Sequence, residues 1–544
     1  GSQLALLNNP IPELLSQPIT AIKPITANLE VGSNNWAVTS NLTNTQAAML
    51  SDDMHLSMAV PVIWYRAQLN YTQNGEQAQV TGVSLPGAPA IVVGTNNKIA
   101  WGFTNGYIDT ADWVALSNDN KTWQVNEPIA LPSGDVDDYS LTMSEYGPVK
   151  YINKQPYALS WAAHQLYAVN MDLLKLEQAT SVDDALDVAS DVGIPVQNLM
   201  VVDSQGSAAW QHIGAIPARK TPSELSVNAN EYSPDWQQNE LQRPYVKNPQ
   251  NGRLWTGNSR VVSATDNARF GIGGYALGAR SSQIRDRLFE KQSFAESDFY
   301  ALQLDNQARF LTPWHTLLLN QLKKDKAKNA QYISALENWQ QCACASSVGY
   351  TLVKHYRSTL INTVFASMEN KLNEQGATLK YVKRDLEPAI WQLIKDRPGS
   401  WVNPEYKNWD EQLLGAFSQT VTALGAEYGD NLQNWQWGKV NALNIEHPFA
   451  KQMPILAKLL NMPVAPAFGD SYMPAVQGKS FGASQRFIAQ PGHLENAIMA
   501  VPGGQSGHPL SAFYRAGFSD YIEGKHTPLL PQTLIHQIVI EPAR

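Results

Sequence analysis

Cysteine is nearly absent from this chain: two in 544 residues, Cys342 and Cys344, separated by Ala343. That spacing fits neither a metal pair nor a Cys-x-x-Cys redox motif, so two free thiols or a local link are the choices. Positive charge is also short, with 40 Lys and Arg against 48 Asp and Glu, a net charge of −8. No long Lys/Arg run and no nucleic-acid motif occurs, which argues against a nucleic-acid partner. No apolar stretch approaches the ~18 residues of a membrane span. There is no His-Glu-x-x-His, no Gly-x-Ser-x-Gly elbow, no Ser-x-x-Lys and no P-loop, so the common zinc, serine and phosphate chemistries lack their signatures. Internal repeats, low-complexity tracts and a signal peptide are lacking too. Gly1-Ser2 reads as a cloning remnant, with the natural start expected upstream.

What is present is a large apolar inventory: 43% hydrophobic residues, with 16 Trp and 21 Tyr. That is ample for an extensive core. Residues 1–32 read as an irregular leader, broken by Pro10, Pro12, Pro18 and Pro24. Strands are expected at 58–72, 88–93 and 98–101, and a hairpin at 197–203 and 207–213 turned by Ser204-Gln205-Gly206. Helices are expected at 181–191, 281–291, 296–308, 313–325, 348–373 and 410–425. Strands framing the early part, helices in the middle and mixed segments late fit one elaborated α+β domain.

The candidate chemistry starts at Val31-Gly32-Ser33-Asn34-Asn35-Trp36. Alone, Gly-Ser-Asn-Asn fits any turn. If Gly32–Ser33 is cut, however, Ser33 carries a hydroxyl nucleophile and a free α-amine. The reference pKa of that amine, roughly 7.7–8, lies near the range a general base needs. Further motifs follow in order: Asp52-Asp53-Met54-His55-Leu56; Leu85-Pro86-Gly87-Ala88-Pro89; Gly94 to Asn105 with Trp101-Gly102-Phe103-Thr104; Asp109-Thr110-Ala111-Asp112; Leu254 to Arg260; and Gly278-Ala279-Arg280. Trp435-Gln436-Trp437-Gly438, Glu446-His447-Pro448, Gly482 to Arg486 and Pro502 to Pro509 complete the series.

Together these resemble the penicillin acylase family of N-terminal nucleophile hydrolases over residues 31–530, most of all its acyl-homoserine-lactone acylase branch. The chain looks like a β subunit behind a short spacer. The resemblance implies a four-layer αββα fold with inserted helices, a spacer at 1–32, and a catalytic domain at 33–544 with a helical insertion at about 281–430. It implies Ser33 as nucleophile after self-cleavage, with His55 beside it to orient it and help polarise the carbonyl. The main-chain N–H of Asn105 and the side-chain amide of Asn258 hold the oxyanion, and Arg280 supports Asn258. Met54 departs from the family's pattern.

The same resemblance implies a structural Ca²⁺ held by Asp109, Ala111, Asp112, Pro222 and Asp266, with a further ligand from an upstream α chain, and no organic cofactor. It implies a periplasmic heterodimer with that α chain. The expected activity is cleavage of N-acyl amides, with N-acyl-homoserine lactones ahead of the side chains of penicillins or cephalosporins. A non-catalytic acyl-binding relative or an uncleaved, inert precursor are the other readings.

Overall fold

The computed structural model describes residues 32–541 except 74, 220–221, 224 and 233–242. Of the leader expected at 1–32, residues 1–31 lie outside the described residues, and Gly32 belongs to the strand Gly32–Val38. Two antiparallel sheets form the centre. The first runs in the order Arg253–Thr256, Gly32–Val38, Met49–Ser57, Arg486–Ala489, Ile498–Ala500, with Phe481–Ala483 also paired to Met49–Ser57. The second has seven strands, from Tyr245–Lys247 through Ala208–Ile213, Gln197–Asp203 and Ile99–Asn105 to Tyr65–Gln73.

Side chains alternate across a strand, and that alternation sorts the layers. Ala37 and Leu50 of the first sheet meet Ala100, Met200 and Val202 of the second in one buried cluster. Trp36 and Val38 turn the other way, onto Ile284, Leu288 and Phe299 from helices Ala279–Phe289 and Glu296–Gln303. The outer face of the second sheet, Ile99, Trp101, Phe103 and Leu199, is covered by Val182, Ala185 and Ala189 of helix Val182–Ala189. The order helix, sheet, sheet, helix is the expected α+β four-layer arrangement. Further helices, among them Thr312–Leu322, Val348–Glu374 and Trp409–Tyr428, share their own core around Trp314, Tyr350, Tyr356 and Trp435. A third, largely exposed sheet is built from Ala111–Ala115 and the strands between Thr122 and Trp161, with Val227–Asn228.

Three expected elements are shorter than their patterns. The strand expected from residue 58 begins at Tyr65, after Pro61, which has no N–H for a ladder. Of 88–93 only Val93 joins a strand, Val93–Thr95. The helix expected to reach residue 308 stops at Gln303. Asp305 then accepts hydrogen bonds from Gln283 (2.9 Å), Arg287 (2.7 Å) and the Gln307 N–H (3.0 Å), which turns the chain under the neighbouring helix. The hairpin at 197–213 forms as expected, with Gln197 opposite Ile213. Cys342 and Cys344 are bonded to each other, the second of the two choices left open. Among the described residues no helix is long and apolar enough to cross a membrane.

Candidate active site

Gly32-Ser33-Asn34-Asn35 is the start of a central strand rather than a loop: it pairs with Met49–Ser57 from Gly32 onward and with Arg253–Thr256 from Asn35. Burial by its neighbours overrides the turn preference of the tetrapeptide. Ser33 is 7% exposed, and Asn34 and Asn35 are fully buried. Such polar groups need partners, and those partners define the site.

Ser33 lies opposite Met54 and Gly32 opposite His55. By the period of two, Ser33 and Met54 face the second sheet, whereas Asn34, Asp53 and His55 face the helices. Toward the second sheet, the Ser33 N–H donates to Asn258 Oδ1 at 2.5 Å, and Asn258 Nδ2 donates to the Asn105 carbonyl at 3.1 Å. Asn198 Nδ2 reaches the same carbonyl at 3.2 Å, holding the strand end that carries Asn105. Arg280, 2% exposed, donates from Nη2 to Asn258 Oδ1 at 3.1 Å, and from Nη1 to the Ser33 carbonyl at 2.9 Å and Asn34 Oδ1 at 2.8 Å. Two donors on Oδ1 and one acceptor at Nδ2 fix which way the Asn258 amide points. Asn258 has φ +66°, a left-handed conformation that Asn tolerates better than most residues. The structure thus brings Ser33, Asn105, Asn258 and Arg280 together.

His55 is placed differently from the expected direct contact. Its Nε2 lies 2.7 Å from Asp53 Oδ2 and 3.5 Å from Asn34 Nδ2, on the face away from the Ser33 side chain. Its link to Ser33 therefore runs through Asn34 and Arg280, because one step along a strand reverses the face. Burial, with Arg280 and Arg486 nearby, holds the His55 pKa well below its usual value, so the ring is neutral and shares a hydrogen bond with Asp53. Burial pushes the Asp53 carboxyl well up, opposed by Arg486 and Arg280.

Sequence reasoning passed over Asn34, which also donates to the Pro474 carbonyl at 2.9 Å, and Asp52, which accepts from Asn35 at 2.8 Å and Gln485 at 2.6 Å. Their alternation with Ser33 and Asn35 was the available signal. Gly102 packs on Asp52: a Cβ there would come within 2.6 Å of the Asp52 Cβ, so the two sheets meet closely only because the residue is glycine.

The five expected calcium ligands do not surround one cation: Asp109 and Asp112 meet at a spot that Arg219 fills, and Asp266 turns away. Asp112 Oδ1 is 2.8 Å from Arg219 Nη1, and Asp109 Oδ2 is 3.6 Å from Arg219 Nη2. Asp109 and Pro222 both border Gly271, but Asp266 turns to Ser263 (2.8 Å) and Arg269 (3.4 Å). Ala111 sits between the two acids and donates its N–H to Asp109 Oδ1 at 3.2 Å. Among the described residues no group of three or more His, Cys, Asp or Glu is placed to hold a metal. As arranged, these residues do not fit Ca²⁺, which takes six to eight oxygens. Arg219 carried no signal in the sequence.

A four-layer core with a serine at the head of a central strand, backed by an amide pair and a buried arginine, has the architecture of an N-terminal nucleophile hydrolase. The chain belongs to the penicillin amidase family, whose model, described as penicillin amidase, matches residues 3–533. It is accordingly an acylase, an enzyme that hydrolyses amide bonds. Among curated relatives, the acyl-homoserine lactone acylase QuiP of Pseudomonas aeruginosa is 23% identical, covering 94% of this chain and 69% of its own length. Penicillin acylase 2 proenzyme of Pseudomonas sp. strain SE83 is 24% identical over 92% of this chain and 67% of its own. The chain thus spans about two thirds of these relatives. A thermostable penicillin G acylase from Alcaligenes faecalis has the same fold, with a TM-score of 0.65 at 15% identity, covering 94% of this chain and all of its own.

Proposed function

We propose that Ser33 is the nucleophile, freed by self-cleavage at Gly32–Ser33, and that the substrates are N-acyl-homoserine lactones. The observation that carries the reading is the Ser33 N–H on Asn258 Oδ1 at 2.5 Å, with the other end of that amide at Asn105. In maturation, Ser33 Oγ attacks the Gly32 carbonyl, the peptide C–N bond breaks with its nitrogen taking the proton, and water hydrolyses the resulting ester. In turnover, Oγ attacks the substrate amide carbonyl and its proton passes to the α-amine, through one water. The oxyanion forms between the Asn105 N–H and Asn258 Nδ2, donors placed before charge develops. Collapse expels the amine, which takes the proton from the Ser33 ammonium. Water then cleaves the acyl–Ser33 ester, with the α-amine as base again.

The acyl-homoserine-lactone choice rests on the names of relatives such as QuiP; the penicillin acylase 2 proenzyme supports β-lactam side chains as the second reading. An α chain from the same precursor and a periplasmic location belong to this reading, and the fraction of its relatives' length that the chain spans supports the former.

Intact mass and N-terminal sequencing, followed by an acyl-chain panel set against penicillin G, test it. A chain beginning at Ser33 that releases homoserine lactone and the free fatty acid from N-acyl-homoserine lactones is expected. Activity in a preparation continuous through Gly32–Ser33 would overturn the free-amine base. Faster release from penicillin G would move the substrate to the second reading.

A further inference from the structure

Asp109 and Asp112 stand where the strand of Asn105 gives way to the outer sheet, which begins at Ala111. Both carboxylates point at one spot, and the main-chain carbonyl of Asp109 points there too. The Arg219 guanidinium fills it, paired to Asp112 Oδ1 at 2.8 Å and Asp109 Oδ2 at 3.6 Å, and donating to the Asp109 carbonyl. The second oxygen of Asp112 accepts from Tyr232 OH at 3.0 Å. Asp112 is 5% exposed and Arg219 7%, so this is an interior ion pair rather than a surface one.

Two carboxylates and a carbonyl are hard oxygen donors of the type a divalent cation takes. A planar guanidinium with several N–H groups matches the same donors and always carries charge. The two occupants exclude each other. A divalent ion among these oxygens would sit within a few ångströms of a buried positive charge, where like-charge repulsion is screened least. The Ala111 N–H takes one lone pair of Asp109 Oδ1 and Tyr232 one of Asp112 Oδ2, so it is the guanidinium that occupies what an ion would need.

We propose that Arg219 stands in for the divalent cation: the chain supplies its own positive charge to the Asp109–Asp112 pair, and its folded state does not depend on calcium. The pin has a consequence for the reaction. Asp109 lies four residues beyond Asn105, so the guanidinium ties the segment leaving the candidate oxyanion strand to the outer sheet. The inference stands on the Arg219 geometry and is independent of whether Ser33 is the nucleophile.

The test is metal content and thermal stability of the full purified protein. A ligand bound only to the native state raises Tm as its concentration rises. Wild type is expected to hold far less than one calcium per chain and to melt at the same temperature in EDTA and in millimolar calcium chloride. Arg219→Gln, which leaves buried Asp112 and partly buried Asp109 facing each other without a cation, is expected to melt lower in EDTA and to recover progressively with calcium, binding one ion per chain. One calcium per wild-type chain whose removal lowers Tm overturns the proposal. So does an Arg219→Gln protein whose Tm calcium never moves. If Arg219→Gln yields no folded protein in either condition, the wild-type metal content and Tm decide alone.

Discussion

The guanidinium of Arg280 occupies the space that a methyl group on Gly32 would need. A Cβ built there would collide with Arg280 Nη2 and lie 3.0 Å from Asn258 Oδ1 and 3.1 Å from Arg280 Cζ. The residue before the proposed scissile bond is therefore small for a packing reason: strand and helix meet on it. Gly32→Ala pushes Arg280 off Asn258 and the Ser33 carbonyl. Overpacking of this kind costs ~1–3 kcal/mol, which as a barrier slows self-cleavage about fivefold to 150-fold. A time course of intact mass after expression should show uncut chain accumulating. Cleavage at the wild-type rate would mean that Arg280 need not hold this position.

Asn258→Asp separates oxyanion stabilisation from binding. The variant keeps an oxygen for the Ser33 nitrogen and Arg280 but turns a second oxygen, not an N–H, toward Asn105. One lost oxyanion donor lowers kcat by about 10²–10³-fold, with KM little changed. Steady-state kinetics on matured protein read this directly. A rise in KM at unchanged kcat would instead make Asn258 a ground-state binding residue.

Much of this site was legible because its residues sit in short motifs whose chemistry is local: a Ser behind a Gly, an Asn in a Gly-Asn-Ser turn, an Arg at a helix start. The α+β class was legible from the strand and helix patterns, whereas the four-layer order came only with the family resemblance. The strand at Gly32–Val38 was less so, since its first four residues carry turn composition and only the flanking strands make it extended. The outer sheet was hidden for the opposite reason. Thr122–Ala130 is exposed along nearly its whole length, so no apolar stripe marks it. The face on which His55 lies needed the register with Gly32, and the partner of Asp112 lies 107 residues away. Acid spacing alone could not tell an arginine from a calcium ion.

Arg280 should also tune the base. It shares Asn258 Oδ1 with the Ser33 nitrogen and binds the Ser33 carbonyl, so its charge disfavours an ammonium at Ser33. Removing that charge in Arg280→Gln raises the amine pKa, and the acid limb of kcat/KM moves to higher pH. Arg280→Lys, which keeps a charge, should leave the limb near its wild-type place even if the rate falls. Equal loss of rate in both variants with no movement of the limb would reduce Arg280 to a packing role.

His212 gives a stability prediction remote from the reaction. The ring is fully buried between Trp210 and Phe270, at 5.0 and 5.6 Å, and among the described residues neither nitrogen has a hydrogen-bond partner. Burial lowers its pKa to about 4, with Arg243 and Arg269 acting the same way and Asp266 opposing. An unfolded His titrates near ~6.5, so between those values the unfolded chain binds more protons, and stability rises with pH. The contribution is complete above the unfolded pKa and is lost as pH falls toward 4, an amount on the order of 3 kcal/mol. His212→Phe keeps the aromatic packing and cannot take up the proton. Denaturant midpoints at about pH 4.5 and about pH 7.5 should therefore differ less in the variant than in wild type, while the other histidines whose pKa is lowered, His55, His315 and His355, contribute equally to both proteins. The same drop in both proteins would mean that the folded protein admits the proton at His212 without cost, and the buried, unpaired ring could not then be as dry as its surroundings make it.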